Sequence, residues 1–192
     1  MNHPKKERTL LLIKPDGVRR GLTGEVLRRI EQRGLKIIAL QMVKPSTEQM
    51  DTHYPKDEEW LKRIGEKTTS TFEKYGRDVT ETMGTSDLLK IGQEVRKWLV
   101  VYMASAPIVK VIVEGIHAVD MVRKLVGNTF PYQAEVGTIR GDFSVDSPIA
   151  ANLDKRSIFN IAHASETAQE AAHEIAHWFT PAELHEYDRS VE

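Results

Sequence analysis

Four short apolar runs constrain the fold of this chain more than any other feature. They are residues 9–13 (TLLLI), 36–43 (KIIALQMV), 108–113 (IVKVIV) and 158–162 (IFNIA). Each is too short for a core helix and reads as a strand. Stretches of helical spacing lie between them. A helix opens at Thr23 or Gly24, with Val26, Leu27 and Ile30 on one face and Gly34 at its C-cap. Ser46 begins a short helix through Met50 towards His53. Ile91, Val95, Trp98, Leu99 and Tyr102 mark a helix over 88–103, and Val119, Val122, Leu125 and Val126 another that ends near Gly127. A last helix covers 166–179, and Pro181 stops it. Residues 128–151, rich in Gly, Pro, Asp and Ser, read as a long loop of the kind that carries function. The alternation fits a doubly wound sheet and a ferredoxin-like sheet equally well.

Residues 56–93 differ in character. They are polar and rich in Lys and Glu, with helical spacing at Trp60, Leu61 and Ile64 and again at Phe72 and Tyr75. They read as helical surface decoration and not as a second core, with Trp60, Phe72 and Tyr75 as a small cluster of their own. No Pro/Ser-rich linker marks a boundary, so residues 1–192 are expected to form one domain.

Composition removes several function classes. The chain has no cysteine, which excludes disulfides, thiol nucleophiles and thiolate metal sites. A net charge of -1 provides no overall field for nucleic acid or an anionic membrane, and the strands carry almost no aromatics for base stacking. No apolar stretch approaches the ~20 residues of a membrane span, and the run at 10–13 after the basic start is too short for a signal-peptide core. The expectation is a soluble cytoplasmic protein, in which any phosphate site is built from individually placed cations.

No G-x-x-x-x-G-K-[ST] or G-x-G-x-x-G motif is present. IKPDG places Lys14, Asp16 and Gly17 at the end of the first strand, which on spacing alone is a strand end and a Pro-Asp-Gly turn. Arg123 lies in MVRKLVGNT and Arg140 between glycines in GTIRGDF. Arginine forks suit phosphate oxygens, although a solvated surface arginine is the commoner case. In NIAHAS, Asn160 and His163 are three apart at a strand end, and Ser165 follows as a helix N-cap. A neutral imidazole there can attack phosphorus, and Glu174 on the next helix is placed to hold its other ring nitrogen. His173 and His177, four apart, read as surface residues without a third ligand.

Six segments come in one order: IKPDGVRRG (13–21), HY (53–54), RKLVGNTFP (123–131), GTIRGDF (137–143), NIAHAS (160–165) and EIAHWFTPAEL (174–184). Together they resemble the nucleoside diphosphate kinase family. The resemblance implies an α+β fold, a ferredoxin-like four-stranded antiparallel sheet with helices packed on it. It makes residues 56–93 a helical insertion and residues 144–157 a loop insertion. It implies transfer of the γ-phosphate of a nucleoside triphosphate to a nucleoside diphosphate, by a ping-pong route through phosphohistidine at His163.

By the same resemblance, Lys14 contacts the sugar and the transferring phosphate, and Tyr54 lies by the γ-phosphate. Arg123, Arg140 and Thr129 clamp phosphate, Asn160 binds ribose, and Glu174 with Ser165 orients His163. The family's base-stacking phenylalanine falls near Val95, with Leu99 or Trp98 able to help. Mg²⁺ is implied as a cofactor held by the nucleotide phosphates, with no protein side chain as ligand. A homo-oligomer is implied as well, whether hexamer, tetramer or dimer. The chain departs from the family's H-G-S-D at His163-Ala164-Ser165-Glu166. Ala164 there requires a negative φ or some backbone strain, and Glu166 is expected in the first turn of the helix.

Overall fold

The computed structural model describes residues 6–188; the basic start of the chain, residues 1–5, lies outside them. In chain order these residues form β1 (Glu7–Ile13), α1 (Pro15–Arg19), α2 (Thr23–Gln32), β2 (Lys36–Val43), α3 (Thr47–His53), α4 (Glu58–Lys74), α5 (Val79–Met83) and α6 (Leu88–Ala104). Then follow β3 (Ile108–Gly115), α7 (Ala118–Val126), α8 (Ile139–Phe143), α9 (Pro148–Leu153), β4 (Ala162–Ala164) and α10 (Ala168–Trp178), with 3-10 turns at Pro131–Gln133 and Pro181–Glu183. They divide into two compact units. The first comprises residues 6–44, 107–144 and 160–188, and the second Pro45–Ala106 and Val145–Phe159.

The first unit holds the sheet. Its order is β2-β3-β1-β4, and every pairing is antiparallel. This is the ferredoxin-like arrangement, and the doubly wound alternative falls. On one face Leu11 and Ile13 of β1 meet Val109, Val111 and Val113 of β3. Val26 and Ile30 of α2, Val122 and Val126 of α7 and Ile139 of α8 close over them. Leu10 and Leu12 point the other way and are equally buried, so β1 is covered on both sides. α10 lies on that second face: Lys110, which pairs with Leu12 and so shares its face, donates to the Trp178 carbonyl at 2.6 Å.

The second unit is helical. Phe72, Val79 and Ile91 are buried together, with Met83 and Ile149 packed on them. The small cluster expected within residues 56–93 is thus present and forms a core of its own, with a corrected membership: Phe72 enters it, while Tyr75 is exposed and Trp60 half-buried. α4 and α6 cross at glycines. A Cβ on Gly65 would stand 2.0 Å from the Leu88 carbonyl oxygen, and one on Gly92 1.9 Å from that of Leu61, so the helices meet backbone to backbone.

Three local readings change. Residues 15–19 form a single helical turn, with Pro15 at its start, where the missing N–H costs nothing. The loop expected at 128–151 contains α8 and the start of α9, capped by Thr138 Oγ1 and Ser147 Oγ, which accept from Gly141 N at 3.1 Å and Ala150 N at 3.3 Å. Helices this short carry too few turns to show a period. The fourth strand is Ala162–Ala164 and not 158–162, because Ile161 adopts φ +70° and no extended strand runs through it.

Candidate active site

β1 and β4 deliver the central residues. His163 pairs with Leu12 across the antiparallel ladder, so both side chains leave the same face. Lys14 follows Leu12 by two residues and is still extended (φ -75°, ψ 169°), which puts it on that face as well. His163 therefore sits inside a strand that β1 holds in register, and not at a strand end as the sequence suggests.

The peptide before it is held in an uncommon conformation. A β-branched residue with positive φ costs ~1–3 kcal/mol and needs fixed surroundings. Ile161 has them. Its N–H donates to Asp16 Oδ2 at 3.0 Å, and its carbonyl accepts from Lys14 N at 2.7 Å. A Cβ on Gly17 would come within 2.9 Å of that carbonyl oxygen, so the position requires glycine. Arg140 binds the flanking carbonyls, with Nε to Asn160 O at 3.1 Å and Nη2 to Ala162 O at 2.6 Å, while Nη1 reaches Gly127 O at 2.8 Å. The Lys-Pro-Asp-Gly segment is thus a cradle for residues 160–162. Sequence reasoning missed the part of Asp16, because its partner is 145 positions away.

Lys14 Nζ donates to Asn160 Oδ1 at 2.8 Å, and Asn160 Nδ2 donates to the Thr129 carbonyl at 2.9 Å. Lys14 is only 7% exposed. Burial, with the charge of Arg140 adding to it and Asp16 opposing, pulls Lys14 down to about 7. Burial and the charge of Arg123 press Arg140 down to about 10, with Asp16 opposing. Both shifts have one meaning: this corner of the first unit concentrates positive charge out of water, and an anion there relieves it.

His163 Nε2 lies 2.7 Å from Glu174 Oε1, and the other carboxylate oxygen accepts from Ser165 Oγ at 2.6 Å. Glu174 is 4% exposed, in the buried stripe of α10 with Ala171 and Trp178. A carboxylate facing Nε2 favours the tautomer with its proton there and the lone pair on Nδ1. Ser165 is not a helix cap. It is fully buried and extends the β1 pairing, with its N–H on the Leu10 carbonyl. The cap of α10 is Thr167, whose Oγ1 accepts from Glu170 N at 3.1 Å. Glu166 accordingly lies before the helix and not in its first turn, 3.9 Å from Arg123 Nη2. Ala164 keeps a negative φ within β4.

Of the remaining candidates, Arg123 and Thr129 are exposed in the first unit, at the end of α7 and just beyond Gly127. Tyr54, Val95 and Leu99 belong to the second unit, Tyr54 as the C-cap of α3 and the other two a turn apart on α6. The first unit thus joins Lys14, Arg140, Asn160, His163, Ser165 and Glu174 by direct hydrogen bonds or through one short backbone segment. A buried carboxylate sets a histidine, and cations surround the peptide that presents it.

A family model described as nucleoside diphosphate kinase matches residues 7–71 and 90–184. The nucleoside diphosphate kinase of Pyrobaculum aerophilum is 47% identical over 178 residues, 93% of this chain and 97% of that one. That of Pyrococcus furiosus is 35% identical over 186 residues, 97% of this chain and 91% of its own. A crystal structure of an NDP kinase from Pyrobaculum aerophilum superposes with a TM-score of 0.92 at 45% identity, covering 94% of this chain and all of that one. The Borrelia burgdorferi enzyme, solved as a transition-state mimic with vanadate and ADP, gives a TM-score of 0.75 at 35% identity, covering 95% of this chain and 92% of its own. With the antiparallel sheet and the histidine set between Glu174 and the cation corner, these likenesses establish that the chain belongs to the nucleoside diphosphate kinase family.

Proposed function

We propose that His163 carries the phosphate in the reaction of this family, transfer of the γ-phosphate of a nucleoside triphosphate to a nucleoside diphosphate. The single observation that carries this reading is Glu174 at 2.7 Å from Nε2, which favours the tautomer whose lone pair is on Nδ1, the nitrogen that would attack phosphorus. In the first half-reaction Nδ1 attacks and the nucleoside diphosphate leaves; in the second an acceptor diphosphate attacks the phosphohistidine. Phosphoryl transfer depends on positioning and on neutralising charge spread over the transferring oxygens. Lys14 and Arg140 supply that charge from a buried position, and Arg123 and Thr129 supply a clamp from an exposed one. Asn160 binds the ribose. Tyr54 by the phosphate and Val95 and Leu99 by the base complete the assignment from the second unit, on the strength of the family pattern.

Mg²⁺ is proposed as the cofactor. The acids of the first unit's site are committed, Glu174 to His163 and Ser165 and Asp16 to the Ile161 N–H, which fits an ion held by phosphate and water instead of protein ligands. When bound it would neutralise charge on the nucleotide phosphates. Among the described residues no helix is long and apolar enough to cross a membrane. We further propose a cytoplasmic homo-oligomer, in which residues 1–192 work as one kinase domain with insertions at about 56–93 and 144–157. A family match that runs through residues of both units supports this.

The test is incubation with γ-labelled ATP and Mg²⁺. The protein should hold label that survives alkali and leaves in acid, and steady-state plots at several acceptor concentrations should run parallel. Equal labelling of His163→Ala would overturn the assignment.

A further inference from the structure

Helix α3 ends in a way that leaves a carbonyl without its usual partner. The Tyr54 N–H closes the last regular bond, to Met50 O at 3.2 Å. The next carbonyl, that of Asp51, would accept from residue 55, which is Pro55 and has no N–H. Arg96, reaching from α6, fills that place. Its Nη2 donates to Asp51 O at 2.6 Å and to Tyr54 O at 3.0 Å, its Nε to Pro55 O at 2.8 Å, and its Nη1 to Asp51 Oδ1 at 2.8 Å. One largely buried guanidinium therefore binds three backbone carbonyls of the chain turn at Tyr54, those of Asp51, Tyr54 and Pro55, and a carboxylate besides.

We propose that Arg96 is a positioning residue for Tyr54, and so a determinant of how the acceptor nucleotide is held. The inference rests on the reading that Tyr54 meets the nucleotide. Arg96 sits between Val95 and Leu99 in the sequence of α6. Its grip on the 51–55 turn makes the tyrosine and the two aliphatic residues parts of one rigid block. All of these contacts lie within the second unit. Lysine cannot replace the fork: it offers one nitrogen to acceptors that four separate N–H bonds now reach.

The experiment is a double-mutant cycle on the full chain, with Arg96→Lys, Tyr54→Ala and the pair, assayed with ADP as acceptor well below each variant's Tm. Each single change should lower kcat/KM about tenfold, mainly through KM for Arg96→Lys, and the pair should fall about tenfold and not a hundredfold, because both act on one element. A hundredfold, additive loss overturns the proposal. So does an Arg96→Lys variant with a lowered Tm but unchanged KM and kcat, the behaviour of a purely structural arginine. If Tyr54→Ala is silent, the reading of the tyrosine fails and takes the proposal with it. If Tyr54→Ala is impaired while Arg96→Lys and Arg96→Met are not, the proposal fails alone.

Discussion

Nucleotide binding should draw a proton onto Lys14. The side chain is buried against Asn160 and Arg140, and burial holds it at about 7. At pH 8 it is then only ~10% charged, and at pH 6 ~90% charged. A phosphate oxygen within hydrogen-bonding reach restores the charged form. Binding of a nucleoside diphosphate with Mg²⁺ should therefore take up ~0.9 proton at this site at pH 8 and ~0.1 at pH 6. Isothermal titration calorimetry in two buffers of different ionisation enthalpy measures that number directly. Lys14→Met removes the site at similar volume, so the difference between the two proteins isolates Lys14 from the nucleotide's own titration. Equal uptake by both at pH 8 would refute the reasoning. The same shift has a consequence for stability. Between about pH 7 and the ordinary lysine value, the unfolded chain holds a proton that the folded chain has released. Unfolding free energy should climb with pH across that window, as the penalty on a buried charge is relieved, and Lys14→Met should lose that part of the slope.

Three further outcomes are expected. Glu174→Gln should slow phosphohistidine formation about 10–100-fold, the usual range for losing a carboxylate that holds a working histidine, with Tm as the control; an unchanged rate would remove Glu174 from the mechanism. Thr9→Val should stabilise the protein by about 1 kcal/mol, raising Tm by about 2–4 °C, because the Thr9 hydroxyl is buried in β1 without a hydrogen-bond partner; a lower Tm would show that it has one. Gly65→Ala should destabilise by about 1–3 kcal/mol, read from chemical denaturation, since its Cβ has nowhere to go against the Leu88 backbone.

The strands were legible where an apolar run met a clear stop. β2 falls on residues 36–43, as Pro45 and the run itself indicate. β4 was misplaced because hydrophobicity records which side chains are apolar and not which φ the backbone takes. Ile161 belongs to the apolar run, but Asp16 and Arg140 bend its peptide out of the strand. Motif order placed Lys14, Arg140, Asn160, His163, Ser165 and Glu174 in one region, since each recurs at a defined place in a family pattern. It said nothing of Asp16 holding a peptide far along the chain. Arg96 did leave a trace: a proline just past a helix end strands a carbonyl, and some side chain must answer it.

The hydrogen bonds of the first unit's site have a kinetic side. Of the five N–H groups of Arg140, three are spent on protein carbonyls and two remain for a ligand. Lys14 and Asn160 are occupied with each other. A nucleotide that binds Lys14 or Asn160 must displace such a partner, so those bonds are gained at the loss of one already made. Exchange of this sort limits affinity more than it limits selectivity. It suits a catalyst that must bind and discharge two nucleotides in every cycle, for which a long residence time would be the greater hindrance.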